Sequence, residues 1–529
     1  MAVKLQAQAA KRQSRVLFEG SEWDFRTMQR TYDAIQEIAL KDLGLDVYAN
    51  QIEIISSEQM LDAYCSIGMP LMYQHWSFGK RFAVEEEMYR KGHMGLAYEI
   101  VINSSPCISY YMEENTMAIQ ALVIAHAAFG HNHFFKNNYL FQQWTDAEGI
   151  LDYLNFAKRY IARCEERHGL SAVEEILDAA HALMDQSVFR YRRHPKPNLR
   201  LQEERERERR EFHERHYNDL WRTLPKGKSA APSEVSDVEL LARKKRLKLP
   251  EENLLYFIEK ISPSLDPWQR EILRIVRNIA QYFYPQKQTK MMNEGCATFV
   301  HHYIVNRLYD DGLITEGTLL EILHNHSNVV FQPGFDDPRF SGINPYALGF
   351  AMMQDIRRIV TEPTAEDRDW FPAIAGTGDW RAVLRDAWAN YRDESFIRQF
   401  LSPRLMREMK LFKLTDKSED SHVTISDIHD ERGYRKVRDA LADSYDVAGN
   451  EPDIQIVDVD LKGDRELVLQ QTVRHGIQLA EQGRDDVLDY IRRLWGYAVR
   501  LQGVDEKTGE TVYENRLPAP DKPGKDRDS

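Results

Sequence analysis

Met117-Ala-Ile-Gln-Ala-Leu-Val-Ile-Ala-His126-Ala-Ala-Phe-Gly-His131-Asn-His133-Phe-Phe is the stretch that decides how this chain is read. The apolar density from Met117 to Ala125 is that of a buried helix. Three imidazoles, His126, His131 and His133, then fall within eight residues. A buried imidazole must be hydrogen-bonded, neutral or metal-bound, and three together are hard to satisfy with backbone groups alone. The plain alternative is one histidine in the core, one at a helix end and one in solvent. Zinc, iron and copper all take neutral imidazole at short local spacing, so the cluster points to a metal site. His126 and His131 are five residues apart. On an ordinary α-helix that turns them about 140° from each other, against about 40° for a spacing of four. Bringing them together needs a helix end or a π-bulge at Phe129-Gly130. If the chain leaves the helix by Gly130, His133 becomes the partner of His131.

A second segment strengthens the case. Met291-Met-Asn-Glu294-Gly-Cys-Ala-Thr-Phe-Val-His301-His302-Tyr303 is another apolar helix carrying ionisable groups. It follows an expected break at Tyr282-Phe-Tyr-Pro285 and Gln286 to Lys290. Glu294 and His301 are about two helical turns apart and share a face; His302 lies roughly on it too. A carboxylate with two imidazoles suits half a metal site or a proton-transfer pair. The competing reading is a helix-start glutamate favoured by the macrodipole, with two merely polar histidines. Taken with the first cluster, a shared site is the better reading: metal on His126, His131, His133, Glu294 and His301, with Glu294, Glu114 and His302 as catalytic candidates. Glu113 and Glu114 open the first helix, where capping is their ordinary role.

Other constellations are weaker. Gly227-Lys-Ser229 has Arg222 where a phosphate loop needs glycine. No G-x-S-x-G occurs. Asp178-Ala-Ala-His181, with Glu174 and Glu175 before it, imitates half of a di-iron motif but reads as a polar helix face. His324-Asn-His326 could add to a metal site, but it borders Ser-Asn-Val-Val and reads better as a helix end.

Composition bounds the class. A chain of 529 residues has room for two or three domains. Its hydrophobic content of 43% is that of a globular protein. The net charge of −13 argues against a general nucleic-acid binder. No apolar run reaches membrane-spanning length, and Met1-Ala-Val-Lys-Leu-Gln lacks the apolar core of a signal peptide. Cys65, Cys107, Cys164 and Cys296 are scattered, with no C-x-x-C. A cytoplasmic protein is expected.

The expected fold is α+β and predominantly helical. A large metal-binding domain over 1–404 contains a charged helix and flexible loop at 200–238. Strands at Leu411–Thr415, His422–Ser426, Asp453–Asp460 and Glu466–Val473, with helices at Gly433–Ser444 and Asp485–Leu494, make a small α+β domain over 405–505. Residues 506–529, with Leu517-Pro-Ala-Pro-Asp-Lys-Pro-Gly-Lys, read as a disordered tail.

Two resemblances add to this. The pieces resemble a zincin: Tyr98-Glu-Ile-Val-Ile-Asn103 as a strand, Cys107-Ile-Ser-Tyr-Tyr111 as the next, then the histidine helix and Asn293-Glu294-Gly295 as the later ligand segment. The spacing of five departs from H-E-x-x-H, and Ala127 stands where the general-base glutamate would be. Nearly the whole chain resembles the stage V sporulation protein R family, including its Gram-negative members. The matching strings are Trp23-Asp-Phe, Tyr98 to Asn103 with Ser104-Ser-Pro106, Met112-Glu-Glu-Asn115, Gly130-His-Asn-His-Phe-Phe-Lys-Asn-Asn138, Met292-Asn-Glu-Gly295, His301-His302 and Asn344-Pro-Tyr-Ala-Leu-Gly349. That resemblance implies a link to the spore cortex, a peptidoglycan layer, in a family also found in bacteria that make no spores. It implies association with a serine protein kinase and a von Willebrand-type companion protein. Two functions follow as expectations: a metal-dependent hydrolase, zinc being the first choice of metal, acting on an amide or peptidoglycan-precursor-like substrate; or a non-enzymatic regulatory scaffold with a structural metal.

Overall fold

The computed structural model describes residues 15–65, 72–90, 98–190, 247, 249–334, 337–411, 431–460, 463–474 and 476–520. They form a predominantly helical α+β structure with a three-stranded and a four-stranded sheet. The charged helix and loop expected at 200–238 lie outside the described residues, as do all but Leu411 of the two strands expected before 427. Two compact units form: Met1–Pro70, Trp76–Glu148 and Pro285–Val447 in one, Leu71–His75, Gly149–Tyr284 and Ala448–Ser529 in the other.

In the first unit, β1 (Asn50–Ile55), β2 (Glu99–Ile102) and β3 (Cys107–Met112) lie in the order β1-β3-β2. β1 runs parallel to β3, with Asn50 opposite Cys107. β2 runs antiparallel along the other edge and sets Glu99 opposite Tyr111. Thr116 then starts α1 (Met117–Val123): its side chain accepts from the Ile119 amide, satisfying one of the unpaired donors of the first turn. The chain next widens into a π-helix over Ile124–His131, every residue of it buried, before α2 (Asn132–Asn137) resumes the ordinary winding.

The π-helix is held by close backbone packing. A Cβ on Gly130 would lie 2.5 Å from the Ala297 Cα of α3 (Lys290–Asp310). On another face of α3, a Cβ on Gly295 would lie 2.6 Å from the Gly349 Cα of α5 (Pro345–Thr361). Glycine at these crossings allows backbones to approach as no other residue would. The α3 helix is therefore gripped between the π-helix and α5, and α4 (Glu316–Val329) packs beside α1 and α3. The break expected over Tyr282–Lys290 falls at Thr289, past Pro285. A helix runs unbroken over Pro267–Gln288, and α3 restarts only after Thr289. Pro285 therefore stands inside a helix, beside the buried Tyr282 and Tyr284, and removes one hydrogen bond from it.

In the second unit, β4 (Asp453–Val459), β5 (Leu467–Val473), β6 (Val499–Asp505) and β7 (Thr511–Leu517) form a sheet in that order. The Glu481–Trp495 helix makes the crossover between the parallel pair β5 and β6. β4 is bridged through Ile456 to Glu251, and the Ser262 hydroxyl donates to the Leu494 carbonyl at 2.7 Å. β7 corrects the expected tail from 506. It is held by antiparallel backbone pairing to β6, while its side chains stay largely exposed and so carry no apolar signal. Asp178 and His181 lie on a half-buried polar face, where Asp178 pairs with His75 at 3.1 Å and His181 with the Tyr73 hydroxyl at 2.5 Å. No helix among the described residues is long and apolar enough to cross a membrane.

Candidate metal centre

The π-helix solves the spacing problem of the first motif. Hydrogen bonds from i to i+5 widen the turn, so residues five apart return to one face. The His126 and His131 rings accordingly meet edge-on, with centroids 4.6 Å apart. Two carboxylates from other elements join them. Glu99, the first residue of β2, brings Oε1 to 3.6 Å from His126 Nε2. Glu294, in the second turn of α3, brings Oε2 to 3.5 Å from His131 Nε2 and 3.8 Å from His126 Nε2. Glu99, His126 and His131 can each offer one ligand atom, all within 4.8 Å of one another.

This donor set fits a transition metal on three grounds. First, the separations of 3.5–3.8 Å exceed ordinary hydrogen bonds. They are close to the tetrahedral edge, about 3.4 Å, that bonds of about 2.0–2.1 Å to a zinc ion would create. Second, Glu294 Oε2 is buried with no hydrogen-bond partner. A buried carboxylate oxygen left this way is costly unless something else binds it. Third, both imidazoles are oriented from behind. His131 Nδ1 lies 2.9 Å from Asn293 Oδ1, and His126 Nδ1 lies 3.0 Å from His301 Nδ1. With Nδ1 so engaged, each Nε2 is free to face the site, the arrangement that metal-ligating histidines adopt.

Charge separates the two glutamates. Burial raises Glu99, with Glu294 adding to the rise against the pull of His126. Burial also works on Glu294, but His131, His126 and a hydrogen bond from Tyr346 outweigh it and hold its carboxyl below the usual range. His131 is taken by burial down to about 4. For His126, burial is outweighed by Glu294 and Glu99, which leaves it above the ordinary histidine value. The start of α3, which bears Glu294, is itself anchored. The buried Asp393 accepts from the Met291 and Met292 amides, both at 2.8 Å, at the start of α3.

The remaining sequence candidates lie elsewhere. His133 sits two residues past His131 on a continuing helix, about 200° around it. Its Nδ1 contacts the Asp46 backbone at 2.9–3.0 Å and its ring packs against Trp388. The alternative in which the chain leaves the helix at Gly130 is thus corrected. Glu114 is exposed and accepts from the Ser57 amide and hydroxyl, away from the histidines. His301 lies behind His126 instead of beside the carboxylates, because seven residues on from Glu294 it is two turns along α3. His302 packs against His326 and Phe350 and does not touch Glu294. Sequence reasoning does not mark Glu99 or Asn293 as site residues, and it ranks His326 first as a helix end. Glu99 left a signal, a lone carboxylate opening an apolar strand. Asn293 lay inside a motif already quoted. His326, expected at a helix end or as an addition to a metal site, stands in the last turn of α4, buried, with Nδ1 2.9 Å from His301 Nε2.

Known proteins bear on the same residues. A family model described as SpoVR like protein matches residues 22–450, which include every residue of the centre, and one described as SpoVR-like C-terminal domain matches residues 452–506. Over 503 residues the chain is 52% identical to a protein of Escherichia coli (strain K12) named "Uncharacterized protein YcgB", spanning 95% of this chain and 96% of that one. No solved structure matches. With family models along almost its whole length and a relative this similar, the chain belongs to the SpoVR-like protein family.

Proposed function

We propose that this protein holds one divalent transition metal, zinc first, on His126, His131 and Glu294, and works as a hydrolase on an amide or peptide-like bond. The observation that carries the reading is the π-helix, which turns a spacing of five into a pair of imidazoles facing a buried carboxylate oxygen that has no other partner. When bound, the metal supplies a Lewis acid that polarises a carbonyl and lowers the pKa of a coordinated water. Glu294, held ionised, suits the ligand role. Glu99, whose carboxyl is held up by burial, suits a group that takes a proton and returns it to the leaving amine. It compensates for Ala127, which stands where a zincin has its base. β2 is an antiparallel edge strand beside the histidine helix, and such an edge can align an extended substrate. The family's tie to spore cortex makes a cytoplasmic peptidoglycan precursor the substrate class to try first.

A second reading is favoured by one distance. Glu99 Oε1 stands only 3.6 Å from His126 Nε2 and is able to serve as a fourth ligand. Four protein ligands close a site and make it structural. The protein would then act as a regulatory scaffold, with the serine protein kinase and the von Willebrand-type protein as partners to test by co-purification. Glu99→Gln separates the two. The hydrolase reading expects metal to be retained by elemental analysis while complementation of a deletion strain is lost. Loss of metal together with function supports the scaffold. Metal retained with normal complementation refutes the role given to Glu99.

A further inference from the structure

Behind the centre, three imidazoles from three helices form a line. His126 Nδ1 lies 3.0 Å from His301 Nδ1, and His301 Nε2 lies 2.9 Å from His326 Nδ1. His126 is on the π-helix, His301 on α3 and His326 on α4, and all three are buried. A hydrogen bond between two imidazole nitrogens needs one N–H and one lone pair. A neutral imidazole carries one of each, so fixing the proton at one end of the line fixes it throughout.

We infer that His301 and His326 are positioning residues that select the tautomer of His126, so that its Nε2 lone pair is presented to the metal. The inference rests on the metal-site reading above. A ligating Nε2 carries no proton, which leaves the His126 proton on Nδ1. That N–H is donated to His301 Nδ1. His301 therefore keeps its own proton on Nε2 and donates it to His326 Nδ1. The direction of donation runs one way, from metal to α4. The opposite tautomer of His301 would set two N–H groups against each other at 3.0 Å. The acceptor on His326 is what disfavours it. Phe350 and His302 pack against the His326 ring and hold it in line. His131 is oriented by an amide oxygen, Asn293 Oδ1, so the two ligands are set by different devices.

The test is zinc affinity by chelator competition, with the cobalt-substituted spectrum as a second readout. His301→Leu removes the acceptor and is expected to weaken zinc about 10- to 100-fold. His301→Gln keeps an acceptor oxygen and is expected to stay within about threefold of the parent. His326→Leu is expected to weaken zinc several-fold in the parent but to have no effect in the His301→Gln background, since a glutamine amide has no second tautomer to adopt. A purely packing role predicts equal effects in both backgrounds. Unchanged affinity in His301→Leu, or additive effects in the pair, overturns the inference while leaving the metal site standing. Should His301→Leu fail to fold, the His301→Gln and His326→Leu pair still decides. A parent protein that binds no zinc, or binds it equally after His126→Ala, overturns the site reading and this inference with it.

Discussion

Gly130→Ala tests whether close backbone packing builds the centre. The added Cβ would stand 2.5 Å from the Ala297 Cα and 2.8 Å from its Cβ. Carbon atoms need about 3.5–4.0 Å, so the π-helix and α3 must separate by roughly 1 Å. The obstacle is largely backbone and cannot rotate aside. Nor can α3 readily retreat, because Gly295 and Gly349 already bring it against α5. Overpacking of this kind costs about 1–3 kcal/mol, and a backbone obstacle belongs at the upper end. Alanine's better helix propensity returns up to about 1 kcal/mol. The net loss is therefore about 2 kcal/mol, a fall of a few degrees in Tm. The site suffers more than the fold. A functional constellation tolerates displacements of only about 0.5 Å, so moving His126 and His131 away from Glu294 by twice that should weaken zinc at least tenfold. Chelator competition and a thermal melt, run beside Gly317→Ala, measure both. The control Cβ would meet nothing nearer than the Thr315 hydroxyl at 3.9 Å. Parental zinc affinity and Tm in Gly130→Ala would refute the packing argument.

Purified protein should carry about one transition metal per chain, and His126→Ala with His131→Ala should lose it; stoichiometric metal in the double variant would put the site elsewhere. Glu294→Gln keeps shape but not charge, so it should fold with little change in Tm yet fail to complement a deletion strain; normal complementation at normal protein level would remove Glu294 from the site. Acidification should destabilise the metal-free protein. His133 and His181 are each taken by burial down to about 4, so between about pH 6.5 and pH 4 the unfolded chain binds their protons and the folded chain does not. Stability that is full above pH 6.5 is lost as pH falls through that window; a urea midpoint unchanged from pH 7 to pH 5 would contradict it. Asp393→Ala strips the Met291 and Met292 amides of their acceptor and should cost about 1–3 kcal/mol in urea unfolding; a loss below about 0.5 kcal/mol would mean that water replaces the carboxylate.

Much was legible in the sequence alone because it is local. The apolar run before His126, the strand beginning near Tyr98 and the apolar helix bearing Glu294 all announce themselves by periodicity, which depends only on neighbours in the chain. The same locality named the two histidines and the carboxylate, and it stated the condition for His126 and His131 to meet. What it could not decide was whether that condition holds. A π-turn costs regular hydrogen bonding, and here it coincides with a glycine pressed on Ala297, a residue 167 positions later. For the same reason Glu99 is not marked out by the sequence and His326 reads first as a helix end. One is a single charge at a strand end and the other a histidine near a helix end, and neither pattern distinguishes itself until the sheet edge and α4 are brought beside α3. His133 is near in sequence, but a helix turns about 100° per residue and carries it to another face; Glu114 stands in the turn before Thr116, ahead of the helix, and pairs there with Ser57. The strand β7 shows the converse: backbone pairing to β6 forms it, and its exposed side chains carry no trace of that partner. Residue type and period belong to the sequence; which distant backbone permits close approach, and so which donors converge, belongs to the tertiary structure.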